Sequence, residues 1–115
     1  MTLNLEQRVE GHVAVIAPSG RLTLGDGDQK LIDCVRSLVS AGQRQIVLDL
    51  ENTPYVDSAG VGALVSAFTT VTSVGGRLAL AALPKRVADL LTVTRLISVF
   101  PVFPTVTEAV AALQG

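Results

Sequence analysis

Ile46-Val47-Leu48-Asp49-Leu50, followed shortly by Val56-Asp57-Ser58-Ala59-Gly60-Val61-Gly62, is the stretch that decides the fold of this 115-residue chain. The first segment is short, continuous and apolar, the pattern of a strand buried on both faces of a parallel sheet. After it, Val61, Leu64, Val65, Phe68 and Val71 recur at helical spacing, so the second segment is a strand-to-helix turn. Ser58 stands in that turn, with its hydroxyl expected at the mouth of the helix. First-turn N–H groups have no intrahelical partners, and the helix dipole adds partial positive charge there. Such a place tolerates a phosphate.

Working outward, Leu3 to Glu10 and Val13 to Pro18 predict two strands of a hairpin around Gly11-His12. Pro18-Ser19-Gly20 is expected to break the second strand. Leu24 to Asp28 reads as a Gly- and Asp-rich loop with Asp28 as N-cap of a first helix, whose inner face is Leu31, Ile32, Val35, Leu38 and Val39. Asn52 to Ser58 reads as a loop. Downstream, Gly75-Gly76 ends the serine helix and Leu78 to Ala81 forms the next strand. Pro84 opens a third helix with Val87, Leu90, Leu91 and Thr94 inward. A short strand near Val99 to Val102 follows, and Thr105 to Glu108 is a capping-box pattern for a last helix. Prolines 101 and 104 confine that strand to a short or edge position.

This alternation predicts an α/β fold, with a mostly parallel central sheet of four to five strands, an N-terminal antiparallel hairpin and about four helices. Residues 1–115 are expected to form one domain. In a parallel sheet the strand ends and helix starts gather at one rim, where ligands and partners usually bind. The loops Gly20 to Asp28, Asn52 to Ser58 and Ala82 to Lys85 share that rim, which brings Ser58 close to Arg21, Thr23, Asp26 and Thr53.

Composition excludes several function classes. Nine basic against ten acidic residues give a net charge of -1 with no run of like charge, so neither nucleic acid nor anionic membrane is the expected partner. The single cysteine, Cys34, forbids an internal disulfide and reads as a partly buried, inert thiol suited to a reducing, cytoplasmic setting. One Cys and one His make no closed zinc site, and Leu24-Gly25-Asp26-Gly27-Asp28 lacks the spaced ligands of a calcium loop, so no metal is expected. A hydrolase elbow needs Gly-x-Ser-x-Gly, but Val56 stands two before Ser58, and the only histidine, His12, sits in the hairpin turn. No phosphate-loop motif with its lysine is present. No catalytic residue and no cofactor are expected. From the residues alone, a plain helix N-cap and a regulated hydroxyl fit Ser58 equally well.

The order Ile46 to Leu50, then Val56 to Gly62, then Gly75-Gly76-Arg77-Leu78, then Val87 to Leu96, Phe100 and Glu108-Ala109 resembles the STAS domain family, and within it the bacterial anti-sigma factor antagonists. The likeness runs from about Leu3 to Leu113. It implies helices largely on one side of the sheet and a phosphorylatable serine at Ser58, preceded by the acid Asp57. It also implies two partners, an anti-sigma factor that is a serine kinase and a metal-dependent serine phosphatase. The unmodified protein then binds the kinase and frees a sigma factor. The partner surface is expected on the rim, at Arg21, Thr23, Asp26, Thr53, Asp57, Ser58, Ala59 and Gly60; of these the resemblance itself carries over Ser58 as acceptor and Asp57 as its preceding acid. Thr23, in Gly20-Arg21-Leu22-Thr23, stands where the family often has an acid. Two other readings remain: a STAS scaffold or transport-complex subunit that is not phosphorylated, and a nucleotide-binding domain using the same rim.

Overall fold

The computed structural model describes residues 3–114. The elements run β1 (Asn4–Glu10), β2 (Val13–Leu22), α1 (Asp28–Ser40), β3 (Gln45–Asp49), β4 (Asn52–Val56), α2 (Ser58–Thr72), β5 (Arg77–Ala81), α3 (Lys85–Val93), β6 (Val102–Phe103) and α4 (Val106–Gln114). The six strands form one sheet in the order β1-β2-β3-β5-β6, with β4 paired to β2 beyond the end of β3. The β1–β2 hairpin is antiparallel and every other pairing is parallel.

Strand alternation sorts the core into two layers. Ala14, Ile16, Ile46, Leu48, Leu78 and Leu80 face α1, α2 and α3, where they meet Leu31, Val35, Leu64, Ala67, Val71, Val87 and Leu91. Val13, Val15, Val47, Ala79 and Ala81 face the other way, against Ala109, Val110 and Leu113 of α4. Three helices therefore cover one face and one covers the other. Ile46, Val47 and Leu48 are all fully buried, as a central strand between two layers requires. Each such side chain contributes roughly 1.5–3 kcal/mol of burial. With few aromatics, the core has one aromatic pair, Phe68 and Phe100, edge-to-face with centroids 5.3 Å apart. It ties the segment after α3 back onto α2.

Two expectations from the sequence are corrected. The Pro18-Ser19-Gly20 segment does not end the second strand. It is the point where β2 changes partner: Val13 to Ile16 pair with β3, and Ser19 to Leu22 pair with β4, with an irregular register between Ser19 and Arg21. Pro18 stands at the hand-over, where a missing N–H breaks no ladder bond on that side, and its carbonyl accepts from the Thr53 hydroxyl at 2.9 Å. Gly20, at φ 118, provides the left-handed turn of the irregularity. The second correction follows from the first. Asn52 to Val56 is a strand and not a loop, because the freed half of β2 offers it a ladder. Its Pro54 is tolerated because β4 pairs on one side only. The sheet thus gains β4 beside the strands read along the sequence.

Smaller adjustments concern boundaries. The last strand is β6 at Val102–Phe103 and not Val99 to Val102, with the Pro101 carbonyl accepting from Leu80 N at 2.9 Å. Thr94 is exposed at the end of α3 and does not face the core. Before α4 the threonine half of the capping pattern forms, with Glu108 N donating to Thr105 Oγ1 at 3.1 Å. Cys34 is half-buried, and burial pushes its thiol pKa up, away from the reactive thiolate.

The two glycines of the serine turn have different roles. A Cβ on Gly60 would collide with the Leu22 carbonyl and with Val56, whereas one on Gly62 would meet open space. Gly60→Ala is therefore expected to destabilise the protein by a few kcal/mol. Gly62→Ala is expected to be neutral or stabilising by up to ~1 kcal/mol through helix propensity. Urea unfolding of both variants checks this contrast; equal stabilities would show that the α2–β2 contact is not close.

Candidate functional site

The site grows from the junction of β2, β4 and α2. Leu22 ends β2, and its carbonyl accepts from Asp57 N at 3.4 Å, bringing the end of β4 against the end of β2. Asp57 then caps α2: its Oδ1 accepts from Gly60 N at 2.9 Å, while its Oδ2 accepts from Leu24 N at 3.1 Å. One carboxylate thus joins the helix start to the β2–α1 loop, 33 residues away in sequence. Hydrogen bonds from Gly60 and then Leu24 hold its pKa below the ordinary carboxylate range, and burial only partly opposes them.

Ser58 is the first residue of α2 and is exposed. It is not the helix N-cap; Asp57 is, through the Gly60 bond. This removes the plain-cap reading of Ser58 and leaves its hydroxyl free of that duty. It also revises the phosphate cradle expected from the sequence. The helix mouth is already occupied by a carboxylate, so an anion on Ser58 would share the dipole with Asp57 instead of filling an empty site.

The loop Thr23 to Gly27 lies beside this junction. It is a tight turn, with Asp26 N donating to Thr23 O at 2.9 Å and Gly25 and Gly27 at φ 78 and 120. Asp28 is not the cap of α1 but its first residue, and its carboxylate accepts from Gly25 N at 3.1 Å, closing the loop on itself. Thr23 and Asp26 are half-buried on the loop, and Arg21 is exposed at the end of β2.

Thr53 and Gly60 lie under this surface and not on it. Thr53 is fully buried, with its hydroxyl spent on Pro18, and Gly60 is buried against Leu22. Arg21, Thr23, Asp26, Asp57, Ser58 and Ala59 are exposed or half-buried, while Thr53 and Gly60 fix the backbone beneath them. Burial was not legible for Thr53, because its strand was not.

Sequence reasoning missed two residues here. Tyr55 on β4 and Arg86 on α3 line a groove of about 450 Å³ with Arg21, Thr23, Pro54, Val56, Asp57, Val87 and Leu90. The Arg21 guanidinium lies 5.0 Å from the Tyr55 ring centroid and that of Arg86 lies 5.6 Å from it. The signal available in the sequence was a lone tyrosine two residues before the acid of the serine turn. Among the described residues no group of His, Cys, Asp and Glu could hold a metal ion, and no helix is long and apolar enough to cross a membrane.

Asp57→Ala removes both carboxylate bonds, and a lost cap costs on the order of 1 kcal/mol. The group's folded-state pKa is lowered, so its contribution is present above the ordinary carboxylate range and is lost as pH falls through the lowered value. Urea unfolding at neutral pH is expected to separate parent and variant, and the gap is expected to close as the solution is acidified below the carboxylate range. A gap that stays constant with pH would contradict a structural role for the charge.

Comparison with known proteins matches this arrangement. The family model for the STAS domain matches residues 4–109. A protein of Thermotoga neapolitana, provisionally named an anti-sigma factor antagonist, is 32% identical over 77 residues, covering 67% of this chain and 68% of its own. The anti-sigma F factor antagonist of Paenibacillus polymyxa is 25% identical over 114 residues, covering 97% of each chain. The crystal structure of a Thermotoga maritima protein, also provisionally described as an anti-sigma factor antagonist, superposes with a TM-score of 0.89 at 21% identity, covering 96% of this chain and 95% of that one. The mixed sheet with its opening hairpin, the serine turn packed on the end of β2, and the span of the match lead to one assignment: the chain belongs to the STAS domain family.

Proposed function

We propose that residues 1–115 act as one STAS unit, an anti-sigma factor antagonist switched by phosphorylation at Ser58. The supporting observation is an exposed serine at the first position of α2, relieved of capping by Asp57 and set on the rim formed by β2, β4 and α3. The names of the two sequence relatives support the same role. In this reading the unmodified rim binds an anti-sigma factor that is also a serine kinase, and so frees a sigma factor. Transfer of the γ-phosphoryl group from ATP to Ser58 Oγ gives phosphoserine and ADP, with the hydroxyl proton released. A serine phosphatase hydrolyses the ester and resets the surface. The chain itself catalyses nothing, binds no nucleic acid directly, and works in the cytoplasm without a membrane partner.

The physical basis of the switch is desolvation. A phosphoserine carries about -1.5 to -2 charge at pH 7. In the free protein that charge faces water, so repulsion from Asp57 is screened and the fold is little affected. At a docked surface the phosphate loses its water without gaining a partner, which costs several kcal/mol.

Incubation with the cognate kinase and ATP is expected to add one phosphate, lost in Ser58→Ala, as read by intact-protein mass spectrometry. Modification elsewhere with Ser58 untouched would overturn the assignment. The phosphorylated protein is expected to melt within a few degrees of the plain form while its affinity for the anti-sigma factor falls at least tenfold, ~1.4 kcal/mol. Equal affinity, or a much lower melting temperature, would contradict a switch that acts at the interface alone.

A further inference from the structure

The groove beside Ser58 contains an arrangement that the folded protein leaves electrostatically incomplete. Two guanidiniums, Arg21 from β2 and Arg86 from α3, converge on the ring of Tyr55 at 5.0 and 5.6 Å. Among the described residues neither is in ion-pair distance of a carboxylate; the two salt bridges are Arg8–Glu10 and Lys85–Asp89. Asp57, which lines the groove, and Asp89 each have partners of their own. Asp57 accepts from two backbone N–H groups, and Asp89 is engaged by Lys85 at 2.8 Å. Two like charges share one aromatic face without a salt bridge to either, an arrangement that an incoming anion relieves.

We propose that this groove receives an acidic segment of a protein partner, with Asp or Glu carboxylates seated on Arg21 and Arg86 and the chain lying along Tyr55. The proposal rests on the reading of this rim as a protein-binding surface and names the chemistry of what binds there. Charge complementarity selects the occupant, because guanidiniums pair carboxylates with fixed fork geometry. The shape favours a peptide over a free nucleotide. The groove is open, its aromatic ring is already engaged by cations, and no glycine is among its lining residues to cradle phosphates. Tyr55 is 47% exposed, so a docked segment has apolar surface to cover as well as charge to meet.

The composition provides the readout, because Tyr55 is the only tyrosine and there is no tryptophan. Its emission reports this groove alone. Titration with the peptide acetyl-(Glu)6-amide is expected to change that emission saturably, with affinity falling as salt is raised from about 20 to about 200 mM. Arg21→Gln with Arg86→Gln is expected to weaken binding at least tenfold, and Arg86→Gln alone, on the exposed side of α3, at least threefold, with melting temperatures near that of the parent protein. Arg8→Gln, on the far half of the β1–β2 hairpin, is expected to leave the affinity within twofold. No saturable change, an unaltered affinity in the double variant, or an equal loss in Arg8→Gln would overturn the proposal. Saturation by ATP where acetyl-(Glu)6-amide gives none would overturn it as well, in favour of a free nucleotide. The titration contains neither kinase nor anti-sigma factor. Its failure therefore removes the acidic-segment assignment and leaves the Ser58 reading to its own phosphorylation test.

Discussion

The close approach of α2 to the end of β2 is the contact on which the site depends. Only a residue without a side chain can occupy position 60, because the Leu22 carbonyl and Val56 fill the space where a Cβ would stand. With Gly60 seated, its N–H lies within reach of Asp57, and the second oxygen of the same carboxylate reaches Leu24. Helix start, strand end and following loop are thereby fixed as one body. Ser58 inherits its exposed position from that geometry and contributes nothing to holding it.

This division separates the stability of the fold from the chemistry of the surface. The residues that hold the junction, Thr53, Gly60 and the carboxylate of Asp57, have their bonding capacity spent inward. Those at the surface, Ser58, Arg21 and Arg86, hold none of these bonds. A change of charge on the outer set alters what the rim attracts while the inner set keeps its bonds. Surface chemistry of this kind can change without drawing on the core.

The rim also acquires a polarity that net charge conceals. A chain at -1 overall concentrates two guanidiniums without salt bridges on one groove, while the Asp57 carboxylate is turned to backbone N–H groups and Asp89 is paired with Lys85. Local potential and not total charge steers a partner over short distances. Thr23, which lines the same groove, adds no charge to it.

Periodicity in the chain determined much of the fold. The unbroken apolar run at Ile46 to Leu48 required a central strand covered on both sides, and the spacing of Val61, Leu64 and Val71 required a helix after the serine turn, because burial imposes those patterns locally. Thr105 announced the start of α4 through its cap, again a local interaction. What escaped was decided by partners distant in sequence. Asn52 to Val56 is a poor strand by composition and becomes one only because β2 outlasts β3 and offers a free ladder. For the same reason Thr53 is buried although it reads as a surface residue. Asp57 rather than Ser58 caps α2, since two residues suited to the same role stand side by side and the chain direction set by Leu22 chooses between them. The Arg21–Tyr55–Arg86 groove left only a lone tyrosine as its trace in the sequence, because its three residues come from separate elements and meet only when α3 settles beside β4.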